Sequence, residues 1–199
     1  MTAPVKVYFP HLGTSRYDSL LADYGEHKIL PQNFEIQALI ALSHYPELKN
    51  THIEFKFKKA KSAHAARPDF WSIFKPKDER KYIIFISPEV DEHLECSRLA
   101  HLSYNAQIGV LGHELAHITD YSQRNFCGIL NFGIRYTRNK TIAEIETATD
   151  MSAIEHGLGY QLLAWSESVH KMLEADGRGE RYLKPNQIRK VLSEHHLYN

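Results

Sequence analysis

From residue 33 to residue 45 (NFEIQALIALSHY), Phe34, Ala38, Leu39 and Leu42 fall at helical spacing and stop before Pro46, which predicts a packing helix. Residues 51–59 (THIEFKFKK) switch to alternation, with Ile53, Phe55 and Phe57 set against Glu54, Lys56 and Lys58. That is the period of a strand with one buried face. A second strand is predicted over 81–87 (KYIIFIS), ended by Pro88, and the charged, Pro-containing segment 71–80 reads as a loop or a short extra strand. Beyond residue 103 the pattern turns helical. Ser103 is a plausible N-cap, and Ala106, Val110, His113 and His117 share one face at three- and four-residue steps. A second helix is predicted from Thr141, where Thr141 and Glu144 have the capping-box spacing, to Gly157 as its stop. Further helices are predicted at about 160–175 and about 185–195, the latter with Pro185 in its first turn. The expected class is α+β: a small mixed sheet of about three strands, followed by helices.

Composition narrows the functional classes. With 199 residues and 43% hydrophobic content, a single domain over 1–199 is expected. The 24 basic and 24 acidic residues balance, so no nucleic acid and no membrane partner is expected. Lys56, Lys58, Lys59 and Lys61 read as the solvated face of a strand rather than a basic patch. Residues 1–14 hold no apolar run of signal-peptide length, and no segment approaches the roughly 18 apolar residues of a membrane span. Cys96 and Cys127 lack CxxC spacing and read as buried thiols, which fits a reducing, cytoplasmic setting. The stretch 176–180 (DGRGE) reads as a flexible break, and nothing specifies an oligomeric state.

The chemistry is concentrated at His113-Glu114-Leu115-Ala116-His117. Two histidines four apart on a helix stand just over one turn apart, so both imidazoles can bind one Zn²⁺ while Glu114 reaches the activated water as general base and proton shuttle. In a chain with 13 histidines an accidental HExxH is expected about 0.07 times, so a second feature is needed. A catalytic zinc takes three protein ligands. Gln123 stands where an HExxHxxGxxH pattern needs its third histidine, and Asp120 where it needs glycine. Cys96 has a Glu95-Cys96-Ser97 context similar to that of the peptide deformylases, but it lies 17 residues before His113 and their glycine-rich companion motif is missing. The acidic helix supplies the better donor. Glu146 and Asp150 are one turn apart on a common face, so Glu146 is assigned to the metal and Asp150 to the free N–H of a ligating histidine.

HELAH at 113–117, then an interval of 28 residues and Glu146-Thr147-Ala148-Thr149-Asp150, resembles the HExxH…ExxxD signature of the gluzincin metallopeptidases. The wording is most similar to the HtpX-like and prenyl-protein-protease branch, although that branch has ExxAD where this chain has ExxTD. The likeness covers about residues 107–159. It implies a zincin-like fold, Zn²⁺ held by His113, His117 and Glu146, catalysis by Glu114, and a peptide or protein substrate paired with the exposed sheet edge before the zinc helix. Those relatives are membrane-embedded and this chain shows no span, so their membrane or prenylated substrates are not implied. Residues 83–87 are the candidate edge strand. Tyr136, placed as in some gluzincins, is the candidate oxyanion donor, with His156, His170, Arg181 and Tyr182 as alternatives. His52, His64, His101, His195 and His196 read as structural or exposed. A zinc-dependent metallopeptidase is the expected function. The alternatives are a zinc-stabilised peptide-binding or regulatory protein without general proteolysis, and an amidase using Cys96.

Overall fold

A computed structural model describes residues 4–60, 62–136 and 138–199. Eight α-helices among them are α1 (Pro10–Ser15), α2 (Tyr17–Tyr24), α3 (Glu35–Leu42), α4 (Tyr104–Gln123), α5 (Phe126–Arg135), α6 (Asn139–Ala153), α7 (Gly159–Ala175) and α8 (Pro185–Glu194). The strands are β1 (Lys28–Ile29), β2 (His52–Phe57), β3 (His64–Pro68) and β4 (Lys81–Ile86), in the order β1-β2-β4-β3. β1 and β2 pair in parallel, as do β2 and β4, while β3 runs antiparallel to β4. The fold is α+β with one small mixed sheet, and the sheet has four strands rather than about three. Among the described residues no helix is long and apolar enough to cross a membrane. Lys61 lies outside them.

β2 and β4 follow the alternation that predicted them. Ile53, Phe55, Tyr82, Ile84 and Ile86 are buried, whereas Phe57, at the end of β2, is exposed. The strands missing from the sequence reading are β1, two residues long and paired with β2, and β3 (HAARP), which has no apolar alternation; pairing with β4 alone makes β3 a strand. The Ser87 N–H bonds to the Ala63 carbonyl and the Asp69 N–H to the Lys81 carbonyl, so odd-numbered residues face β4. His64, Ala66 and Pro68 therefore turn their backbone groups to the open edge. Proline is tolerated there because its missing N–H faces no partner. β4 is paired on both sides, so residues 83–87 are not the edge, contrary to expectation. Segment 71–80 forms 3₁₀ turns instead of a strand.

α4 is the centre of the fold, buried from Ala106 through Thr119 and packed against α3, α6, α7 and β3. Its predicted cap holds, with the Ser103 hydroxyl accepting from the Ala106 N–H at 3.3 Å. Gly109 lets α7 come within backbone contact: a Cβ there would lie 2.2 Å from the Gln161 carbonyl oxygen. The helix carrying Glu146 starts at Asn139, two residues before the predicted start. Thr141 makes no cap, and Glu144 pairs with Arg135 at 3.6 Å. Its far end becomes a π-turn, Ile154–Leu158, in which Gly157 adopts φ +86°, a left-handed conformation suited to glycine. Residues 176–178, in the stretch that read as a flexible break, form a capping turn at the end of α7. Gly177 sits at φ +73°, the Gly177 N–H bonds to the Glu174 carbonyl and the Arg178 N–H to that of Leu173. Cys96 and Cys127 are exposed, not buried.

The π-turn is clamped to α4 by a polar chain. The Tyr45 hydroxyl donates to the Gly112 carbonyl (2.7 Å), the Tyr45 ring stacks on His156, and His156 Nε2 meets Glu47 Oε1 at 2.9 Å. Thr119 also donates to Glu47 Oε1, at 3.0 Å. Burial works against protonated His156, but its bonds to Glu47 and the Ser152 carbonyl outweigh it and raise the pKa. Burial likewise disfavours ionised Glu47, and the bond from His156 outweighs it and lowers that pKa.

Gly109→Ala is expected to destabilise the protein by about 1–3 kcal/mol in urea unfolding. His156's contribution is complete below its unfolded pKa and fades as pH rises through the raised folded value. Glu47's is present above its unfolded pKa and fades as pH falls through the depressed folded value. His156→Gln should therefore cost more stability near about pH 5.5 than near about pH 8.5, and an equal loss at both would exclude the charge as the cause.

Candidate metal centre

α4 and α6 meet around a buried polar cluster. His113 and His117 project from α4 and Glu146 from α6, with 2%, 5% and 6% of their surface exposed. Glu146 Oε2 lies 3.0 Å from His113 Nε2 and 3.3 Å from His117 Nε2, and the three atoms converge within 4.8 Å of one another. A tetrahedral ion with bonds of about 2.0–2.1 Å spaces its donors about 3.3 Å apart, so this set fits a small divalent cation.

The other ring nitrogens are also engaged. His113 Nδ1 meets Asp150 Oδ1 at 2.8 Å, and Asp150 Oδ2 accepts from the Leu183 N–H at 2.8 Å. His117 Nδ1 meets Thr149 Oγ1 at 3.2 Å, and that hydroxyl is donated to the Ile145 carbonyl at 2.9 Å. Because the Thr149 proton goes to Ile145, its oxygen is left to accept from His117 Nδ1–H. Both rings thus present Nε2 towards Glu146, the tautomer a metal ligand needs. Burial alone would depress His113, but its bonds to Asp150 and Glu146 raise its pKa well above the ordinary value. Burial pushes Glu146 up, and the two histidines pull it down further.

Glu114 stands beside the cluster. Burial raises its carboxyl, against the pull of His117 and His113, while the Ala66 N–H from the edge of β3 favours the ionised form. Its Oε2 is buried with no hydrogen-bond partner among the described residues. Above lies a cleft walled on one side by β3, with Arg67 at its rim, and on others by Tyr121, Tyr136, Arg181 and Tyr182.

Tyr136 reaches this cleft through α5, which the sequence reading lacked. Asn125 caps that helix by accepting from the Gly128 N–H at 2.8 Å, and Phe132 packs against Tyr121 and Tyr136 at 5.1 and 5.3 Å between ring centroids. The Tyr136 hydroxyl donates to Glu146 Oε1 at 2.8 Å. Of the alternatives to it, Arg181 and Tyr182 line the cleft. His156 is held by Glu47 and His170 by Glu174 (3.2 Å). Cys96 donates to the Met172 sulfur and is not among the converging donors. Asp120 is engaged by Arg124 at 2.8 Å.

Three residues at the site went unread. Thr149 was visible in the ExxTD wording, but its role depends on His117 lying opposite. Ala66 belongs to a strand without a sequence signal. His64, read as structural or exposed, lines the cleft with Nε2 buried and unpartnered among the described residues, and burial pushes its imidazole down to about 3.

No family model, no curated protein and no solved structure matches the chain.

The outer partners should govern how tightly an ion is held. Asp150→Asn and Tyr136→Phe are each expected to weaken Zn²⁺ binding by about 10–100-fold in chelator competition. Unchanged affinity in both would exclude the arrangement as a metal centre.

Proposed function

We propose that the chain is a zinc-dependent metallopeptidase of gluzincin type with a zincin-like fold, hydrolysing peptide bonds in its β3-walled cleft. The carrying observation is the convergence of His113 Nε2, His117 Nε2 and Glu146 Oε2 beside a buried Glu114 oxygen that has no partner among the described residues. His113, His117 and Glu146 would hold Zn²⁺. When bound, the ion lowers the pKa of a water towards neutrality and polarises the carbonyl under attack. Glu114 Oε2 accepts the proton of the attacking water and passes it to the departing amine. The Ala66 N–H holds the Glu114 carboxylate in place.

The open edge of β3 receives an extended peptide: the His64, Ala66 and Pro68 carbonyls face outward, so the substrate backbone can add as a further strand. Tyr136, with its hydroxyl on Glu146 Oε1, first fixes the ligand carboxylate so that Oε2 faces the histidines. It is the nearest candidate for stabilising the developing oxyanion when that bond is exchanged, and Tyr182 and Arg181 line the same cleft. Two exposed, unpaired cysteines suit the reducing cytoplasm, which is the compartment proposed.

Glu114→Gln tests the assignment. With one Zn²⁺ per chain retained, hydrolysis of a peptide library is expected to fall by at least about 10²-fold. Full activity in the variant would exclude Glu114 as the base. Peptide binding with no cleavage by the wild type would favour the zinc-stabilised binding protein instead.

A further inference from the structure

A side pocket opens off the cleft at the same catalytic residues. The two share Ser62, His64, His113, Glu114, Arg178 and Tyr182, so the pocket adjoins the place where a bond would be cut. It lies between α4, α7 and the start of β3, with walls from Val110, Val169, Met172 and Leu173.

Against those apolar walls stand three buried polar atoms that have no hydrogen-bond partner among the described residues: Glu114 Oε2, His64 Nε2 and Trp165 Nε1. Native proteins supply partners to nearly all such groups. The proposed hydrolysis uses Glu114 Oε2 and leaves His64 and Trp165 without a role. Trp165 is 7% exposed, packs at 5.6 Å from His113 and 5.3 Å from Tyr182 between ring centroids, and can only donate. A neutral imidazole with its proton on Nδ1 presents Nε2 as an acceptor. With the His64 proton on Nδ1, the pocket offers one donor from α7 and one acceptor from β3.

Resting on the peptidase reading, we infer that this pocket takes the terminal carboxamide of a glutamine or asparagine side chain next to the scissile bond. The carboxamide oxygen accepts from Trp165 Nε1–H and its NH₂ donates to His64 Nε2. An aliphatic side chain satisfies neither group. A carboxylate cannot donate to His64 and brings a second negative charge beside Glu114, and Arg178, the cation lining the pocket, is already paired with Asp176. A lysine or arginine cannot accept from Trp165. The apolar walls pack the methylenes that carry the amide.

The test uses full-length, Zn²⁺-loaded protein and internally quenched peptides that differ only by Gln, Met or Glu at the two positions flanking the cleaved bond. Met matches the length of Gln without its hydrogen bonds. The expected kcat/KM is about tenfold or more higher for Gln than for Met. Trp165→Phe and His64→Leu should each bring the ratio of kcat/KM for the Gln peptide over the Met peptide down towards one, whatever either change does to the absolute rate. Thermal melting of both variants checks that each is folded. Equal rates for Gln and Met, a preference for Glu, or a Gln preference that survives in both folded variants overturns the pocket assignment and leaves the peptidase reading standing.

A binding readout separates the two ideas in the other direction. The chain has two tryptophans, so Trp71→Phe leaves Trp165 as the sole reporter. Trp71 is 75% exposed and lines neither the cleft nor the pocket. In a Trp71→Phe, Glu114→Gln protein, the Gln peptide is expected to shift Trp165 emission and the Met peptide is not. That response without any cleavage by the wild type retains carboxamide binding in the pocket but removes the peptidase reading and, with it, the placement beside a scissile bond. No response to the Gln peptide overturns the pocket.

Discussion

Burying ionisable groups inside a helix that is itself buried is the constraint on which this structure turns. α4 is covered along most of its length, yet carries His113, Glu114 and His117 at its centre. Removing such groups from water costs several kcal/mol each unless the interior supplies partners, and those partners must be placed by other elements. α6 supplies most of them: Glu146 faces both histidines, Asp150 takes one outer N–H and Thr149 the other. Asp150 is anchored in turn by the Leu183 N–H, which ties the segment between α7 and α8 to the same cluster.

The surroundings follow from that demand. Gly109 allows α7 to lie directly on α4, so Trp165 and the capping turn of α7 flank the cluster, and Arg178 from that turn reaches the cleft. α5 returns the chain so that Tyr136 meets the remaining oxygen of Glu146. On the open side, β3 turns its unpaired edge towards α4 and gives one N–H to Glu114. Each neighbour of the cluster either satisfies a polar group or closes it from water, except at Glu114, His64 and Trp165. Those three atoms are buried without a partner among the described residues, and their side chains line the side pocket.

How far the chain could be read from its residues depended on whether a property was local. The helix spacing of residues 103–117, the Ser103 cap, the alternation in β2 and β4 and the glycine stop at Gly157 rest on neighbouring residues, and the structure places each of these features in its element. The 113–117 motif and the Glu146 and Asp150 pair were legible because one helical turn brings residues three or four apart onto one face. The spacing assigned Asp150 to the free N–H of a ligating histidine without saying which; in the fold Asp150 meets His113 Nδ1 and Glu146 meets His113 Nε2.

Other features were decided only by tertiary contact. β3 is a strand because β4 pairs with it, and it is the edge because nothing among the described residues pairs beyond it; neither fact is written in HAARP. Glu144 fits a capping box on paper, but the helix begins earlier and draws the side chain to Arg135. Thr149 is one threonine among several until His117 lies opposite it. His64 and Trp165, 101 positions apart, become one pocket when β3 and α7 close on α4. The sequence by itself determined the two helices that carry His113, His117, Glu146 and Asp150 and the spacing of those residues along them, since those depend on local backbone geometry. The open edge, the outer partners and the side pocket needed the packed fold, because each arises where residues remote in sequence meet.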